Sequence, residues 1–166
     1  MAMNIRAYRA GDLPRLQEIT AATFGPVSID GNMERILGNF GAGDEAGWRG
    51  RKLAVIAEDC RVQPDGVFVA CDDAGRIGGY ITTRLNRQSK IGWIANLAVD
   101  PAGQGKGIGR GLILHALAFF RQNGMEVARI ETLEQNAIGQ GLYPSVGFKE
   151  VARQIHYAMR IGDDAD

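Results

Sequence analysis

From Leu97 the chain reads Leu97-Ala98-Val99-Asp100-Pro101-Ala102-Gly103-Gln104-Gly105-Lys106-Gly107-Ile108-Gly109-Arg110-Gly111, and an apolar run from Leu112 to Arg121 follows. Residues suited to a strand therefore lead through a glycine turn into the start of a helix. Glycines let successive backbone N–H groups converge with no Cβ in the way, and the first helical turn adds partial positive charge and unpaired donors. Such a turn can hold a phosphate. It can also serve only to bring two elements into close packing, and spacing must separate the two uses. A P-loop would need Ser or Thr after its Gly-Lys, where this chain has Gly107. The dinucleotide fingerprint would need a glycine where Arg110 or Leu112 stands. What fits is Gln104-Gly105-Lys106-Gly107-Ile108-Gly109, a Q/R-x-x-G-x-G/A arrangement.

The flanking elements follow from periodicity and punctuation. Asn4 to Arg9 reads as a strand, and Asp12 with Pro14 opens a helix through Leu13, Leu16, Ile19, Thr20 and Thr23 to about Phe24. From Gly25 to Gly50 seven glycines leave only short apolar groupings at Met33, Ile36, Leu37 and Phe40, and this stretch is expected to be the least regular. A second helix is expected over Gly47 to Glu58. Gly66 to Cys71, Arg76 to Leu85 and Ile91 to Val99 form an antiparallel meander, with Asp72-Asp73-Ala74-Gly75 as its first turn. A helix then runs through Phe120, a strand covers Val127 to Leu133 and a short helix covers Ala137 to Tyr143. Phe148 to Ile161 completes the chain as one or two strands, with Ile155, Tyr157, Met159 and Ile161 on one face. The expectation is one α/β domain over residues 1–166, a mixed sheet covered by helices.

The loop pattern resembles the acyl-CoA pyrophosphate loop of the GNAT superfamily of N-acetyltransferases. The likeness extends over roughly Gly66 to Arg160 and is strongest from Trp93 to Phe148. Leu97-Ala98-Val99-Asp100-Pro101 is similar to the family's fourth strand and its exit, and Ile130-Glu131-Thr132 to its fifth. Asn136 and the run Leu142-Tyr143-Pro144-Ser145-Val146-Gly147-Phe148 are similar to the following helix and its Gly-Phe exit. The resemblance implies a mostly antiparallel mixed sheet of roughly six or seven strands, splayed between the fourth and fifth, with about four helices. It implies acetyl-CoA as acyl donor and direct transfer to a primary amine of a small molecule or a peptide amino terminus. Two alternatives are a protein lysine acetyltransferase and a non-catalytic acyl-CoA-binding sensor or interaction module.

Residue by residue, the resemblance implies that backbone groups of Leu97, Ala98 and Val99 bind the pantetheine arm. The amides of Gln104, Gly105, Lys106, Gly107, Ile108, Gly109 and Arg110 would cradle the pyrophosphate, with the Lys106 and Arg110 cations screening its charge. Those two side chains read equally as solvated surface positions. Tyr143 stands where the family places the acid that protonates the departing thiolate, and a phenol is protonated at neutral pH. It also reads as a packed helix aromatic. Asn136 is similar to a residue that ties strand and helix to the cofactor, and it can equally cap the helix that follows. Glu131, twelve positions before Tyr143, has the spacing of a base in amino-terminal acetylating members, against an ion-paired strand carboxylate as the plain reading. Trp93 stands where some relatives carry a carboxylate, a departure that removes one candidate base. Glu134 falls on the other strand face and ranks below Glu131. The acceptor would meet Phe24 to Arg51 and Arg153 to Tyr157, where Asp30, Glu34, Asp44 and Glu45 offset Arg35, Arg49 and Arg51. No acceptor class is legible from that balance.

Composition excludes other classes. In 166 residues, 45% are hydrophobic and 23% charged, which fits a folded domain rather than a disordered chain. Nineteen basic residues balance nineteen acidic ones, so no basic excess points to nucleic acid. The start carries Arg6, Arg9 and Asp12 rather than a signal-peptide core, and Gly111 to Phe120 is too short to span a bilayer. A cytoplasmic location is expected, with no membrane partner, and the resemblance adds a homodimer through the last strands. Cys60 and Cys71 are expected as reduced apolar residues without metal-ligand spacing, so neither is an acyl carrier. His115 and His156 lack a nucleophile or metal partner and read as structural or exposed. No metal site is expected.

Overall fold

A computed structural model describes residues 3–43 and 46–162; Asp44 and Glu45 of the acceptor stretch lie outside the described residues. The chain begins with β1 (Asn4–Ala7) and α1 (Leu13–Thr23), whose Pro14 sits in the first turn where its missing N–H costs nothing. Leu16, Ile19 and Thr20 repeat at helical spacing and are buried. The next element corrects an expectation. The stretch read as irregular contains α2 (Ile29–Leu37), opened by Ser28, whose hydroxyl accepts from the Gly31 amide at 3.0 Å, and closed by Gly38 at φ 74°. Gly31 is required there, because a Cβ would stand 2.1 Å from the Gly25 carbonyl oxygen. The apolar positions Ile29, Met33, Ile36 and Leu37 have helical spacing, a signal masked by the many glycines around them.

The helix α3 (Gly47–Val62) runs past the expected end at Glu58, because Asp59 and Cys60 are buried and extend its inward face. Strands β2 (Val67–Cys71), β3 (Ile77–Asn86) and β4 (Ile91–Val99) form the expected meander. The helix α4 (Ile108–Gln122) follows the glycine turn, and β5 (Val127–Ile130) and α5 (Ala137–Val146) complete the regular structure. The sheet has five strands in the order β1-β2-β3-β4-β5, antiparallel except for the parallel β4–β5 pair. One cluster, including Leu16, Ile56, Val69 and Tyr80, fills the space under α1 and α3; another, including Ile81, Leu112, Ile113 and Phe120, packs under α4.

Two sheet features position the site. Pairing between β4 and β5 stops at Ile94↔Ile130, although β4 continues to Val99, so the expected splay is present. The strand also carries a bulge: Thr82 pairs with Asn96 and Thr83 with Ile94, leaving Ala95 as an extra residue.

The sheet is smaller than expected, with five strands rather than six or seven, and the described helices α1 to α5 number one more than expected. β5 ends at Ile130, so residues 131–133 leave the ladder. The segment 149–160 is not a strand. Its Arg160 guanidinium donates to the Leu37 and Asn39 carbonyls at 2.8 Å, and Arg153 pairs with Glu134 and Glu150. These contacts carry the segment toward the end of α2, where no strand edge takes up its backbone groups. Ile155, Tyr157, Met159 and Ile161 are accordingly at least 68% exposed.

Candidate active site

The glycine turn is built from its base upward. Asp100 caps the short turn after β4 by accepting from Ala102 N at 2.9 Å, and Arg15 of α1 pairs with the same carboxylate. The Ala102 amide, and after it Arg15, hold Asp100 below the ordinary carboxylate range. Gly105 and Gly107 both have left-handed backbone, at φ 74° and 81°, which other residues adopt only with strain. Gly107 immediately precedes α4, and no atom lies within 4 Å of a Cβ built on either glycine. Among the described residues, the amides of Gly105 to Arg110 donate to no protein acceptor; the next, Gly111, donates to the Gly107 carbonyl. These donors open onto free space at a helix start, which fits a phosphate group.

The cations have internal partners. Lys106 Nζ donates to the Ala102 carbonyl at 2.8 Å, and Arg110 Nη1 to the Ser145 carbonyl at 2.9 Å, linking α4 to α5. Gln104 Nε2 donates to the Val99 carbonyl at 3.3 Å and so closes the loop onto the strand it leaves. Gly79, which sequence reasoning passed over, makes the approach of α4 possible. Its Cβ would lie 3.0 Å from the Ala98 carbonyl and 3.1 Å from Ile108 Cγ2.

Beyond the splay, β4 has an open edge. Asp100 N donates to the Gly78 carbonyl, and antiparallel alternation then turns the backbone of Ala98 toward Tyr80 on β3. The N–H and C=O of Leu97 and Val99 face the gap instead. Of the three expected backbone contacts, the open edge thus offers two, and Ala98 contributes a buried side chain.

Asn136 caps α5, with Oδ1 accepting from Gly139 N at 3.1 Å, while its Nδ2 donates to Thr132 Oγ1 at 2.9 Å. The cap is therefore real, and the same side chain joins α5 to the segment leaving β5. Gly139 is a second residue that sequence reasoning missed: a Cβ would stand 2.8 Å from Asn136 Nδ2, 2.9 Å from Thr132 Oγ1 and 3.1 Å from Tyr143 Cε2. Its position three after a helix-capping Asn was the available signal. Tyr143 packs with Phe148, ring centroids 6.3 Å apart, and burial pushes its phenol above the ordinary value, with Thr132 pulling partly the other way. It is proton-loaded at neutral pH.

Glu131 lies on the same face as Arg129 and Trp93. Its Oε1 accepts from Arg129 Nε at 2.8 Å, an exposed ion pair. Glu134 lies farther along, paired with Arg153. Trp93 is flanked in register by Arg84 and Arg129, whose guanidinium carbons are 5.9 and 5.6 Å from its ring centre. Its indole N–H is buried without a partner. Deeper on this face, Asp59 accepts from Thr82, Arg84 and Asn96, and Lys52 Nζ donates to Asn96 Oδ1 at 2.7 Å. Neither Asp59 nor Lys52 was singled out from the sequence.

The histidines lie elsewhere. His115 packs edge-on to Phe68, with burial lowering its pKa, and His156 is exposed in the final segment. Cys60 and Cys71 are buried free thiols, and burial pushes Cys60 up to about 11. No helix of the described residues is long and apolar enough to cross a membrane.

Comparison with known proteins agrees with this geometry. The mycothiol acetyltransferase of Segniliparus rotundus is 32% identical over 118 residues, which cover 69% of this chain and 44% of the relative. That of Thermomonospora curvata is 30% identical over 141 residues, covering 84% and 47% respectively. The chain thus spans less than half the length of these curated relatives. A crystal structure from Pyrococcus horikoshii superposes with a TM-score of 0.71 at 25% identity, covering 92% of each chain. The PaiA N-acetyltransferase of Thermoplasma acidophilum, solved in complex with coenzyme A, superposes at 0.69 with 22% identity, covering 90% of this chain and 91% of that one, and shows the shared fold. The family model for the acetyltransferase (GNAT) family matches residues 33–148. With loop, splayed strands and capped helix in the family's order, the chain belongs to the GNAT acetyltransferase family.

Proposed function

We propose that this chain is a single N-acetyltransferase domain that transfers an acetyl group from acetyl-CoA to a primary amine of a small molecule or a peptide amino terminus. The observation that carries this reading is the run of unengaged amides from Gly105 to Arg110, set beside the open Leu97–Val99 edge of β4. Acetyl-CoA supplies an activated acyl thioester. Gly105 to Arg110 hold its pyrophosphate by backbone donation, with Lys106 and Arg110 within reach from the same loop. Leu97 and Val99 bind the extended arm as an added strand would be bound, and the Val99 amide polarises the reacting carbonyl. Asn136 keeps α5 and the Thr132 segment together at the far side of the gap.

Glu131 takes the proton that the acceptor ammonium must lose before it can attack. Tyr143 keeps its own proton at the hydroxyl and delivers it where negative charge develops on the leaving sulfur. Cys60 and Cys71 are buried, burial keeps the Cys60 thiol protonated, and neither takes part, which favours direct transfer. The free thiols also support a cytoplasmic site of action. A homodimer is part of the same reading. It is supported by the exposed alternating residues Ile155, Tyr157, Met159 and Ile161 and by the outer edge of β5, where the sheet ends.

Incubation with acetyl-CoA and a broad panel of amines, followed by detection of free thiol, tests the activity. Amine-dependent thiol release is the expected result. Tight acetyl-CoA binding without turnover on any amine or lysine peptide overturns catalysis in favour of a sensor.

A further inference from the structure

The face of the sheet beneath Glu131 carries a connected set of donors that the transfer chemistry does not use. From α3, Lys52 Nζ reaches Asn96 Oδ1; Asn96 Nδ2 and Arg84 Nε both donate to Asp59, whose carboxylate is buried. Arg84, Trp93 and Arg129 then stand side by side across β3, β4 and β5 by register. Arg129 closes the series on Glu131. The bulge at Ala95 is what brings Trp93 and Asn96 to one face despite their odd spacing.

The set has donors to spare. Arg84 and Arg129 each engage their carboxylate through Nε and Nη2, and neither Nη1 has a partner among the described residues. The Trp93 indole N–H is buried and unpartnered. Lys52 faces one acceptor and the Phe24 ring, 4.4 Å from its Nζ, so two of its three N–H bonds are uncommitted. Asp59 and Glu131 take up part of the charge of these cations, and Asp30 and Glu58, themselves paired with Arg51 and Arg61, also face Lys52 and Arg84, so the neighbourhood is balanced in charge and what it offers an acceptor is its uncommitted donors. An anionic group would find uncommitted charged donors and an indole N–H here.

We infer that the Arg84–Trp93–Arg129 row, backed by Lys52, binds a carboxylate of the acceptor and makes the enzyme selective for amines of the amino-acid type. The inference rests on the proposed acetyl transfer and names its substrate class. The scale fits. Arg129 Nε and Glu131 Oε1 are 2.8 Å apart, so the groups that would hold the carboxylate and the amine are adjacent. The site therefore accepts a molecule whose amine and carboxylate are separated by a few bonds. Arg129 holds the carboxylate of the acceptor in place of Glu131, and Glu131, released from its ion pair, is freed to take the proton of the amine. Arg84 and Trp93 are positioning residues in this account, and their role is to orient the acceptor.

The test compares L-amino acids with their carboxamides in matched pairs. Amidation lowers the basicity of the amine and by itself favours the amide, so a preference for the acid reports recognition. The acid is expected to show a KM roughly 10- to 100-fold below that of its amide. Arg129→Gln should collapse this ratio toward one, and Arg129→Lys should keep most of it. Equal or better KM for the amides overturns the inference while leaving acetyl transfer intact. A second readout does not depend on turnover: saturable quenching of tryptophan fluorescence by the acids, absent with the amides and lost in Trp93→Phe and Arg129→Gln. Quenching by acids and amides alike, or by neither, also overturns it. Quenching specific to acids with no thiol release on any amine would refute the proposed transferase reading and leave the anion site standing.

Discussion

Gly139 lies against Asn136 so closely that a single added methyl at Gly139 would sit 2.8 Å from Asn136 Nδ2. The same methyl would press on Thr132 Oγ1 and the Tyr143 ring, so one glycine keeps the capping Asn, the strand exit and the proposed acid in contact. Gly139→Ala adds helix propensity, which by itself would stabilise by about 0.5–1 kcal/mol, but it forces those three side chains apart at a cost of about 1–3 kcal/mol. The expected outcome is a modest fall in Tm together with a larger fall in kcat. A variant that gains stability and keeps full kcat would show that these contacts are slack.

Removing only the Tyr143 hydroxyl should leave acetyl-CoA affinity unchanged and lower kcat by roughly 10²-fold. Because burial raises the phenol, its protonated form persists to higher pH than that of a free tyrosine. The rate attributable to this acid is therefore full below that raised value and lost as pH rises through it. A pH–rate profile should show an alkaline limb above the ordinary phenol range that disappears in Tyr143→Phe. An unchanged kcat in that variant removes Tyr143 from the mechanism.

Gly107→Glu places a negative side chain at a left-handed position that faces open space. Backbone strain there costs about 1–2 kcal/mol, and nothing is displaced, so the protein should still fold. Like charge in the cradle should abolish acetyl-CoA binding in calorimetry. Retained binding would place the diphosphate elsewhere.

Asp59 is almost fully buried and accepts from Thr82, Arg84 and Asn96. Asp59→Ala leaves two buried neutral donors without their acceptor, while the Arg84 guanidinium, 41% exposed, turns to water, and the expected loss is about 1–3 kcal/mol by denaturant unfolding. A loss under about 1 kcal/mol would mean that water replaces the carboxylate there.

Cys60 and Cys71 should resist alkylation at pH 8 in the folded protein and react on unfolding, since both are buried and Cys60 is pushed up to about 11. The Cys60→Ala, Cys71→Ala double variant should retain turnover. Loss of activity without loss of folding would point to a covalent acyl carrier.

The parts of the fold that announce themselves locally were legible. The apolar run Val67–Cys71, the strand-forming residues of Ile77–Asn86 and the alternation of Ile91–Val99, with Asp72 to Gly75 as a turn, define the meander, and Gly105 and Gly107 take the left-handed backbone that glycine allows. Features that depend on distant partners were not. The helix Ile29–Leu37 is amphipathic and well capped, yet Gly31 obscures it, and that glycine is explained only by the Gly25 carbonyl beside it. The alternation of Ile155, Tyr157, Met159 and Ile161 is strand-like, but a strand needs an edge, and no residue within the segment reveals whether one is present. The network of Asp59 and Lys52 was invisible for the same reason, because its members are scattered over α3, β3 and β4. Spacing singles out Glu131 as a candidate base, while its ion pair with Arg129 depends on how both side chains turn.

Ala95 divides β4 into two stretches of opposite parity: before it, odd-numbered side chains look toward α3, and after it, even-numbered ones do. A homologue lacking that single position would rotate everything upstream by half a pleat relative to the cofactor edge, exchanging Trp93 for its neighbours without altering any other letter. Insertions and deletions at one site can thus retune what such an enzyme accepts, a route to new specificity that comparison by residue type alone would overlook.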